Sequence, residues 1–196
     1  ELAILKFLRD TQNEPGKKCL YIAPYRALAV ELEQSLQRSF APIGIGVSQL
    51  YGSYDLNPAE SLIVEDSRVL IATPEKMDAF LRYNTDIAQQ VGLVIVDEGH
   101  IIDNDERGLR FELFLHRLVR RYERQGTRML FISAVMPNVE QFSQWITGRD
   151  SEDGVLTSDW QATQLLLGIL QWNGQRGRVD HLYRNRKPLD LSLIHI

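Results

Sequence analysis

Two adjacent carboxylates, Asp97 and Glu98, are the residues of this sequence whose placement most clearly suggests chemistry. They directly follow residues 93–96 (Leu-Val-Ile-Val), an apolar run typical of a buried strand. In open parallel sheets ligands bind beyond the carboxyl ends of the strands, so both acids are expected at the edge of a site. Because neighbouring residues at a strand end point in different directions, the two carboxylates can take different roles. Phosphoryl transfer needs two such roles, since one group holds Mg²⁺ and another orients the attacking water.

The alternative interpretation is a pair of turn acids that simply ends a strand. An isolated Asp-Glu pair would favour that interpretation. The long apolar run before the pair, and Gly99-His100 directly after it, favour the functional one.

The elements that must position these acids follow from the hydrophobic pattern. Continuous apolar runs predict strands at residues 19–23, 46–51, 68–73, 92–96 and 129–133. Amphipathic stretches predict helices at residues 1–9, 28–40, 58–64, 75–82, 106–123 and 138–147. Strands that alternate with helices, and that are apolar on both faces, predict an α/β fold with a parallel sheet covered by helices on both faces.

The C-terminal part has a different pattern. Apolar runs at residues 164–172 and 178–183 flank Asn173-Gly174, which predicts a β-hairpin, and Gly177 favours a loop longer than two residues. Residues 191–196 (Leu-Ser-Leu-Ile-His-Ile) continue no such pattern. We hypothesise that they are a non-native tail read from sequencing-adapter DNA; an ordinary exposed C-terminus is the alternative.

Composition narrows the function classes. The chain has 196 residues, of which 44% are hydrophobic and 24% charged, values that exclude disordered and collagen-like proteins. Its single cysteine, Cys19, excludes a disulfide framework and favours the cytoplasm. No apolar run approaches the roughly 18 residues of a membrane span, so no membrane partner is expected. The net charge of −4 does not exclude nucleic acid, because a local basic groove can bind it.

Residues 97–100 (Asp-Glu-Gly-His) resemble motif II of superfamily 2 DEAD/DEAH-box helicases, with Gly in place of Ala. Residues 23–29 (Ala-Pro-Tyr-Arg-Ala-Leu-Ala) resemble motif Ia, and residues 73–76 (Thr-Pro-Glu-Lys) resemble motif Ib. Residues 133–138 (Ser-Ala-Val-Met-Pro-Asn) resemble motif III. Each motif alone is weak, but all occur in the family's order, each at a predicted strand end. The pattern is most similar to the superkiller-type branch, and the resemblance implies a RecA-like P-loop NTPase domain.

The resemblance also implies roles for individual residues. Asp97 would hold Mg²⁺ through water, and Asp97 and Glu98 together would form the acidic part of the ATP–Mg²⁺ site. Glu98 would polarise the attacking water. His100 and Ser133 would couple the nucleotide site to the facing domain, so the implied catalytic set is Asp97, Glu98, His100 and Ser133.

The implied nucleic-acid-binding residues are Pro24, Arg26, Gly52, Thr73 and Pro74. Helix N-termini offer free N–H groups to phosphate, and Arg26 and Thr73 add a charge and a hydroxyl at predicted helix starts. Contacts of this kind fix the position of a strand without reading its sequence. The alternatives are a surface charge for Arg26, a helix entry for Thr73-Pro74 and a plain turn for Gly52.

Five arginines share one face of the helix predicted at residues 106–123 and just beyond it. They are Arg107, Arg110, Arg117, Arg121 and Arg124. A solvated face, partly paired with Glu106 and Glu123, is predicted rather than a nucleic-acid groove.

These observations predict a partial helicase ATP-binding domain at residues 1–150, truncated before its first helix. It lacks the Walker A loop, so ATP binding by the chain alone is expected to be poor, with the loop encoded just before Glu1. Residues 151–190 are expected to form a hairpin and linker toward a second RecA-like domain. The expected function is ATP-dependent unwinding of, or translocation on, a DNA or RNA single strand. A non-catalytic nucleic-acid-binding module and the motor domain of a defence or restriction translocase are the alternatives.

Overall fold

The computed structural model describes residues 1–50, 58–99, 106–133, 139–147, 154–156, 167–174, 176–182 and 193–194. The chain divides into two compact units, Glu1–Gly154 and Val155–Ile196. Gly52 and His100, both predicted to be functional, lie outside the described residues.

The first unit is built on a parallel sheet of five strands. The strands are β1 (Lys18–Ile22), β2 (Val47–Gln49), β3 (Val69–Ala72), β4 (Val91–Val96) and β5 (Arg128–Phe131). Their order across the sheet is β2-β3-β1-β4-β5, and every neighbouring pair is parallel. The predicted parallel sheet is therefore confirmed, with β1 at its centre.

Helices cover both faces of this sheet. They are α1 (Leu2–Asp10), α2 (Arg26–Phe40), α3 (Pro58–Asp66), α4 (Pro74–Tyr83), α5 (Thr85–Gln89), α6 (Glu106–Tyr122) and α7 (Val139–Thr147). Alternate residues of a strand face opposite sides, so Leu20 and Ile22 pack with α4 and α6, whereas Cys19 and Tyr21 pack with α1 and α2. The two cores explain why the central strands are apolar throughout. Within the described residues, no helix is long and apolar enough to cross a membrane.

Glycines permit two features of this packing. A Cβ on Gly92 would lie 2.8 Å from Cε2 of Phe7, so the glycine lets α1 pack closely on β4. Gly126 has a φ of 68° and follows the 3₁₀ turn Glu123–Gln125 that extends α6. This left-handed residue ends the helical segment.

One strand is more exposed than its sequence indicates. The prediction that residues 129–133 form a buried strand is wrong in its burial, because Leu130 and Ile132 are 36% and 43% exposed. The reason is that, among the strands that the structure describes, β5 lies at the edge of the sheet and has β4 as its one neighbour. The short helix α5 was not predicted, since five residues are too few to show a helical period.

The second unit contains the predicted hairpin. Strands β6 (Leu167–Trp172) and β7 (Gly177–Leu182) pair antiparallel, with Trp172 opposite Gly177. The loop is therefore longer than two residues, as predicted, and the backbone N–H of Arg176 donates to Oδ1 of Asn173 at 2.7 Å. Strand β8 (Leu193–Ile194) pairs with β7, but the origin of residues 191–196 stays a hypothesis.

A buried lysine joins the amino end of β1 to the end of α3. Lys18 is 2% exposed, and its Nζ donates to the carbonyl oxygens of Val64, Glu65 and Ser67 at 3.0, 2.8 and 2.8 Å. Burial lowers the pKa of Lys18 from its ordinary value. The ammonium group supplies three donors to carbonyls at a helix C-terminus, where the backbone has few partners of its own.

We expect Lys18→Met to lower the free energy of unfolding by about 2–5 kcal/mol, because it leaves buried carbonyl groups without donors. Chemical denaturation monitored by circular dichroism measures the change. Lys6→Met is the matched control, because Lys6 is 62% exposed and forms a surface pair with Asp10. Its loss should lower the free energy of unfolding by less than about 0.5 kcal/mol. Equal stability of the two variants would show that the three carbonyl contacts contribute nothing.

Candidate functional site

The carboxyl ends of three adjacent strands meet at one edge of the sheet. In the register, Ile22 of β1 lies beside Ala72 of β3 and beside Val96 of β4. The residues that follow these strands therefore lie next to one another, although they are far apart in the sequence. This edge brings the predicted acidic motif close to two of the predicted nucleic-acid motifs.

Asp97 is held by hydrogen bonds on three sides. Its backbone N–H donates to the carbonyl oxygen of Ile22 at 3.0 Å. Its Oδ2 accepts from the hydroxyl of Tyr21 at 2.8 Å, and its Oδ1 accepts from the backbone N–H of Glu98 at 2.9 Å. Both carboxylate oxygens thus have a donor, and the orientation of the half-buried side chain is fixed.

Tyr21 is a site residue that the sequence interpretation missed. It is 8% exposed, and burial raises the pKa of its phenol, with a further rise from the hydrogen bond to Asp97. The phenol therefore stays protonated and donates at any physiological pH. A sequence signal existed, because a tyrosine inside a buried strand usually needs a partner for its hydroxyl.

Glu98 sits in a strained backbone conformation. Its φ is 53°, and no other non-glycine residue in the described ranges has a positive φ. Such a conformation costs of order 1–3 kcal/mol, and it concentrates at functional sites. It turns the chain sharply after Asp97, as separate roles for the two acids require.

Ile132, which directly precedes Ser133, is hydrogen-bonded to residues on either side of Asp97 and Glu98. The N–H of Ile132 donates to the carbonyl of Val96 at 2.8 Å, and the N–H of Gly99 donates to the carbonyl of Ile132 at 3.0 Å. The half-buried Ser133 therefore directly follows a residue bonded to both sides of the acidic pair. His100 and residues 134–138 lie outside the described residues, so the coupling role of His100 and Ser133 stays a prediction.

A groove of about 470 Å³ lies beyond the carboxyl ends of β1 and β3. We call it the strand-end groove. Its lining residues are Pro24, Tyr25, Arg26, Thr73, Glu75, Lys76 and Arg107. The structure thus brings together three of the predicted nucleic-acid-binding residues, Pro24, Arg26 and Thr73. Pro74 instead lies buried at the first position of α4 and lines a neighbouring groove.

Two helix N-termini border the strand-end groove. The N-cap residues are Tyr25 for α2 and Thr73 for α4, and neither side chain caps its own helix. The first N–H groups of a helix lack partners within the helix, and they favour anions. Arg26 is exposed and pairs with no acidic side chain within the described ranges. The groove therefore has the chemistry of a phosphate-binding surface.

The prediction of a solvated face is wrong for Arg107. Its Nη2 donates to the carbonyl of Pro24, and its guanidinium carbon lies 4.7 Å from the centre of the Tyr25 ring. Its Nε lies 3.6 Å from Oε1 of Glu75, in the first turn of α4. Helical periodicity gave no sign of this, because the contacts depend on where the first turn of α6 meets the sheet edge.

Other arginines of α6 are paired at the surface. Arg110 pairs with Glu106, as predicted. Arg117 pairs with Asp78 of α4, with Nη2 at 2.8 Å from Oδ2, a partner that the sequence did not indicate. The solvated interpretation therefore holds for these two arginines.

Asp97 and Glu98 form a turn that we call the acidic turn, and its donor set fits Mg²⁺ rather than a metal coordinated entirely by protein side chains. No group of three or more His, Cys, Asp or Glu side chains that could hold a metal occurs among the described residues. Mg²⁺ keeps several waters and commonly uses one or two carboxylates together with substrate phosphates. The oriented carboxylate of Asp97 matches that requirement.

Comparison with known proteins identifies relatives. The sequence profile described as DEAD/DEAH box helicase matches residues 1–142. Hachiman protein HamB of Bacillus cereus is 40% identical over 152 residues, which cover 78% of this chain and 14% of that protein. ATP-dependent DNA helicase Hel308 of Methanococcus vannielii is 30% identical over 170 residues, covering 86% of this chain and 21% of that protein. The chain thus spans only about a fifth or less of these relatives.

Solved structures show the same fold. The helicase MrfA superimposes with a TM-score of 0.58 at 21% identity, covering 73% of this chain and 24% of that one. The structure of MrfA bound to DNA and AMPPNP gives a TM-score of 0.57 at 22% identity, covering 75% of this chain and 22% of that one. The fold of the first unit and the matched profile agree, and the chain belongs to the DEAD/DEAH box helicase family.

Proposed function

We propose that this chain is part of an ATP-dependent helicase or translocase that acts on a single strand of DNA or RNA. One observation carries the proposal: an oriented Asp97 and a strained Glu98 share a sheet edge with a groove suited to phosphate. Family membership supports it, and the MrfA structure with DNA and AMPPNP is a relative of the same fold. The cytoplasm is the proposed location, because the single cysteine, Cys19, is buried and free.

The acidic turn would serve ATP hydrolysis. When bound, ATP–Mg²⁺ supplies the γ-phosphoryl group and a cation that neutralises charge on the phosphates. Asp97 would hold the hydrated cation, with its carboxylate oriented by Tyr21 and by the N–H of Glu98. Glu98 would orient the attacking water and accept its proton.

The remaining parts of the motor are proposed on the resemblance. A Walker A loop would hold the β- and γ-phosphates, which no described residue at the acidic turn is placed to do. His100 and Ser133 would link the acidic turn to a second RecA-like domain. Residues 151–190 would lead toward that domain. The superkiller-type branch is likewise a proposal.

The strand-end groove would hold the nucleic-acid backbone. Arg26 and Thr73 would contact phosphates directly, and the N-termini of α2 and α4 would add N–H donors. Gly52 would let the backbone of the protein approach the strand. Because these contacts reach phosphate rather than bases, binding would be independent of sequence.

A non-catalytic module derived from a helicase is less well supported. A protein that no longer hydrolysed ATP would have no use for a strained Glu98 beside an Asp97 whose carboxylate is oriented by two hydrogen bonds. A motor domain in a defence or restriction system fits the site equally well, because it would use the same chemistry. Domains outside this chain would distinguish such a motor from other helicases, and HamB is a suitable relative for comparing the order of those domains.

The decisive experiment measures ATP hydrolysis by the full-length protein with and without single-stranded DNA and RNA. We expect Mg²⁺-dependent hydrolysis that a single strand stimulates. Binding of single strands with no hydrolysis under any condition would instead support the non-catalytic module.

We expect Glu98→Gln to keep ATP binding and to lower hydrolysis by about 10²–10⁴-fold, because an amide cannot accept the proton of the attacking water. Single-turnover hydrolysis and fluorescent-nucleotide titration of the full-length protein measure the two effects. Glu112→Gln, an exposed position on α6, is the control. Hydrolysis by Glu98→Gln at the rate of the unmodified protein would remove Glu98 from the mechanism.

Tyr21→Phe tests the donor that orients Asp97. The ring remains to fill the core, so stability should change little, whereas the Mg²⁺ concentration for half-maximal hydrolysis should rise about tenfold. A Mg²⁺ titration of the ATPase rate measures it, with Tyr83→Phe as control, since Tyr83 is 69% exposed. An unchanged Mg²⁺ requirement would limit Tyr21 to a packing role.

The double variant Arg26→Ala, Thr73→Ala should weaken the binding of all single strands by about the same factor, whatever their sequence. Each phosphate contact that is lost should also lower the slope of log affinity against log salt by roughly 0.7. Fluorescence anisotropy at several salt concentrations measures both effects. Arg38→Ala, in the last turn of α2, removes a charge far from the groove and should leave the slope unchanged. Loss of affinity for one sequence only would indicate base readout.

A further inference from the structure

Arg107 contacts two segments of the chain that are far apart in the sequence. Its guanidinium contacts the loop after β1 through the Pro24 carbonyl and the Tyr25 ring, and it contacts the first turn of α4 through Glu75. The first segment leads into Arg26 and the second follows Thr73, and both residues line the strand-end groove. We call these two segments the walls of the groove, and Arg107 contacts both of them.

The contacts occupy the guanidinium in a way that only arginine allows. A planar group can donate in its plane while its face rests on an aromatic ring, and an ammonium group cannot do both. The Arg107 side chain is 41% exposed, so its charge also reaches the groove. Two roles are possible for such a residue: a direct charge on the nucleic acid, or a brace that sets the spacing of the walls.

We infer that Arg107 is a positioning residue for nucleic-acid binding. It fixes the loop of Pro24 and Tyr25, which leads into Arg26, against the first turn of α4, which follows Thr73. This inference rests on the proposed function of the groove. This positioning role explains why the guanidinium of Arg107 contacts Pro24, Tyr25 and Glu75 instead of being left free to bind phosphate. The inference also places a groove-shaping residue on α6, which is the next described helix after Asp97 and Glu98 along the chain.

The first test compares Arg107→Ala and Arg107→Lys in the full-length protein by single-strand anisotropy. A positioning role predicts that both variants weaken binding by a similar factor, roughly tenfold, because lysine keeps the charge but loses the planar contacts. Arg110→Ala is the control, since Arg110 is one turn away and pairs with Glu106 outside the strand-end groove. Near-normal binding by Arg107→Lys would overturn the inference in favour of a direct charge.

The second test is a double-mutant cycle with Arg26→Ala. If Arg107 positions Arg26, then Arg26→Ala should lower single-strand affinity by a clearly smaller factor in the Arg107→Ala background than in the unmodified protein. Strictly additive losses of binding free energy would contradict the inference. A purely structural role elsewhere in the fold would lower thermal stability without this coupling.

A further variant keeps the test informative if Arg107→Ala does not fold. Tyr25→Leu removes the ring beneath the guanidinium but leaves every charge in place, and it should still weaken single-strand binding and couple to Arg26→Ala. Full affinity in Tyr25→Leu would count against the brace. Failure of the unmodified protein to bind any single strand would instead refute the proposed function.

Discussion

The arrangement of the site depends on the central strand β1, which is buried on both faces and hydrogen-bonded along both edges. A strand in this position has little freedom to slide or tilt, because each shift would break two ladders and expose two cores. Its carboxyl end is therefore a fixed point. Asp97 is bonded to Ile22, and the N–H of Ala23 is bonded to Ala72 at 3.0 Å. The acidic turn on one side of β1 and the strand-end groove on the other are therefore both positioned by the carboxyl end of this strand. At the opposite end of β1, Lys18 is hydrogen-bonded to α3.

The choice of tyrosine as the donor to Asp97 follows from electrostatics. A lysine or arginine in that place would pair with the carboxylate and reduce the negative charge available to a cation. The Tyr21 phenol supplies a directed hydrogen bond without a compensating charge, and its burial keeps it protonated. Arg26 and Lys76 line the strand-end groove instead, together with Arg107, which pairs there with Glu75. The carboxylate suited to a metal thus lies apart from the positive groups of the groove.

Much of the fold was predictable from local patterns, because continuous apolar runs and amphipathic stretches reflect which side chains of a strand or helix are buried. The parallel sheet and the hairpin both follow from such patterns. The exposure of β5 was not predictable, because strand order is a property of the whole sheet and an edge strand can be as apolar as a central one. The acidic pair could be found from its position after an apolar run. Tyr21 and Arg107 could not be assigned roles, since their partners, Asp97 and Pro24, are distant in sequence and adjacent only in the folded chain.

The two kinds of arginine on α6 show why a charged helix face is not by itself a site. Arg107 and Arg117 share a face by periodicity, yet a rise of 1.5 Å per residue separates them by about 15 Å along the axis. In a parallel α/β sheet each crossover helix runs back against its strands, so its first turn lies at the carboxyl edge and its last turn at the opposite edge. Arg26, Lys76 and Arg107 all belong to first turns, of α2, α4 and α6, and they meet in one groove. Arg117 lies further along α6 and pairs with Asp78 of the neighbouring helix. In this fold, distance from the start of a helix separates the arginines that shape the groove from those that only join helices.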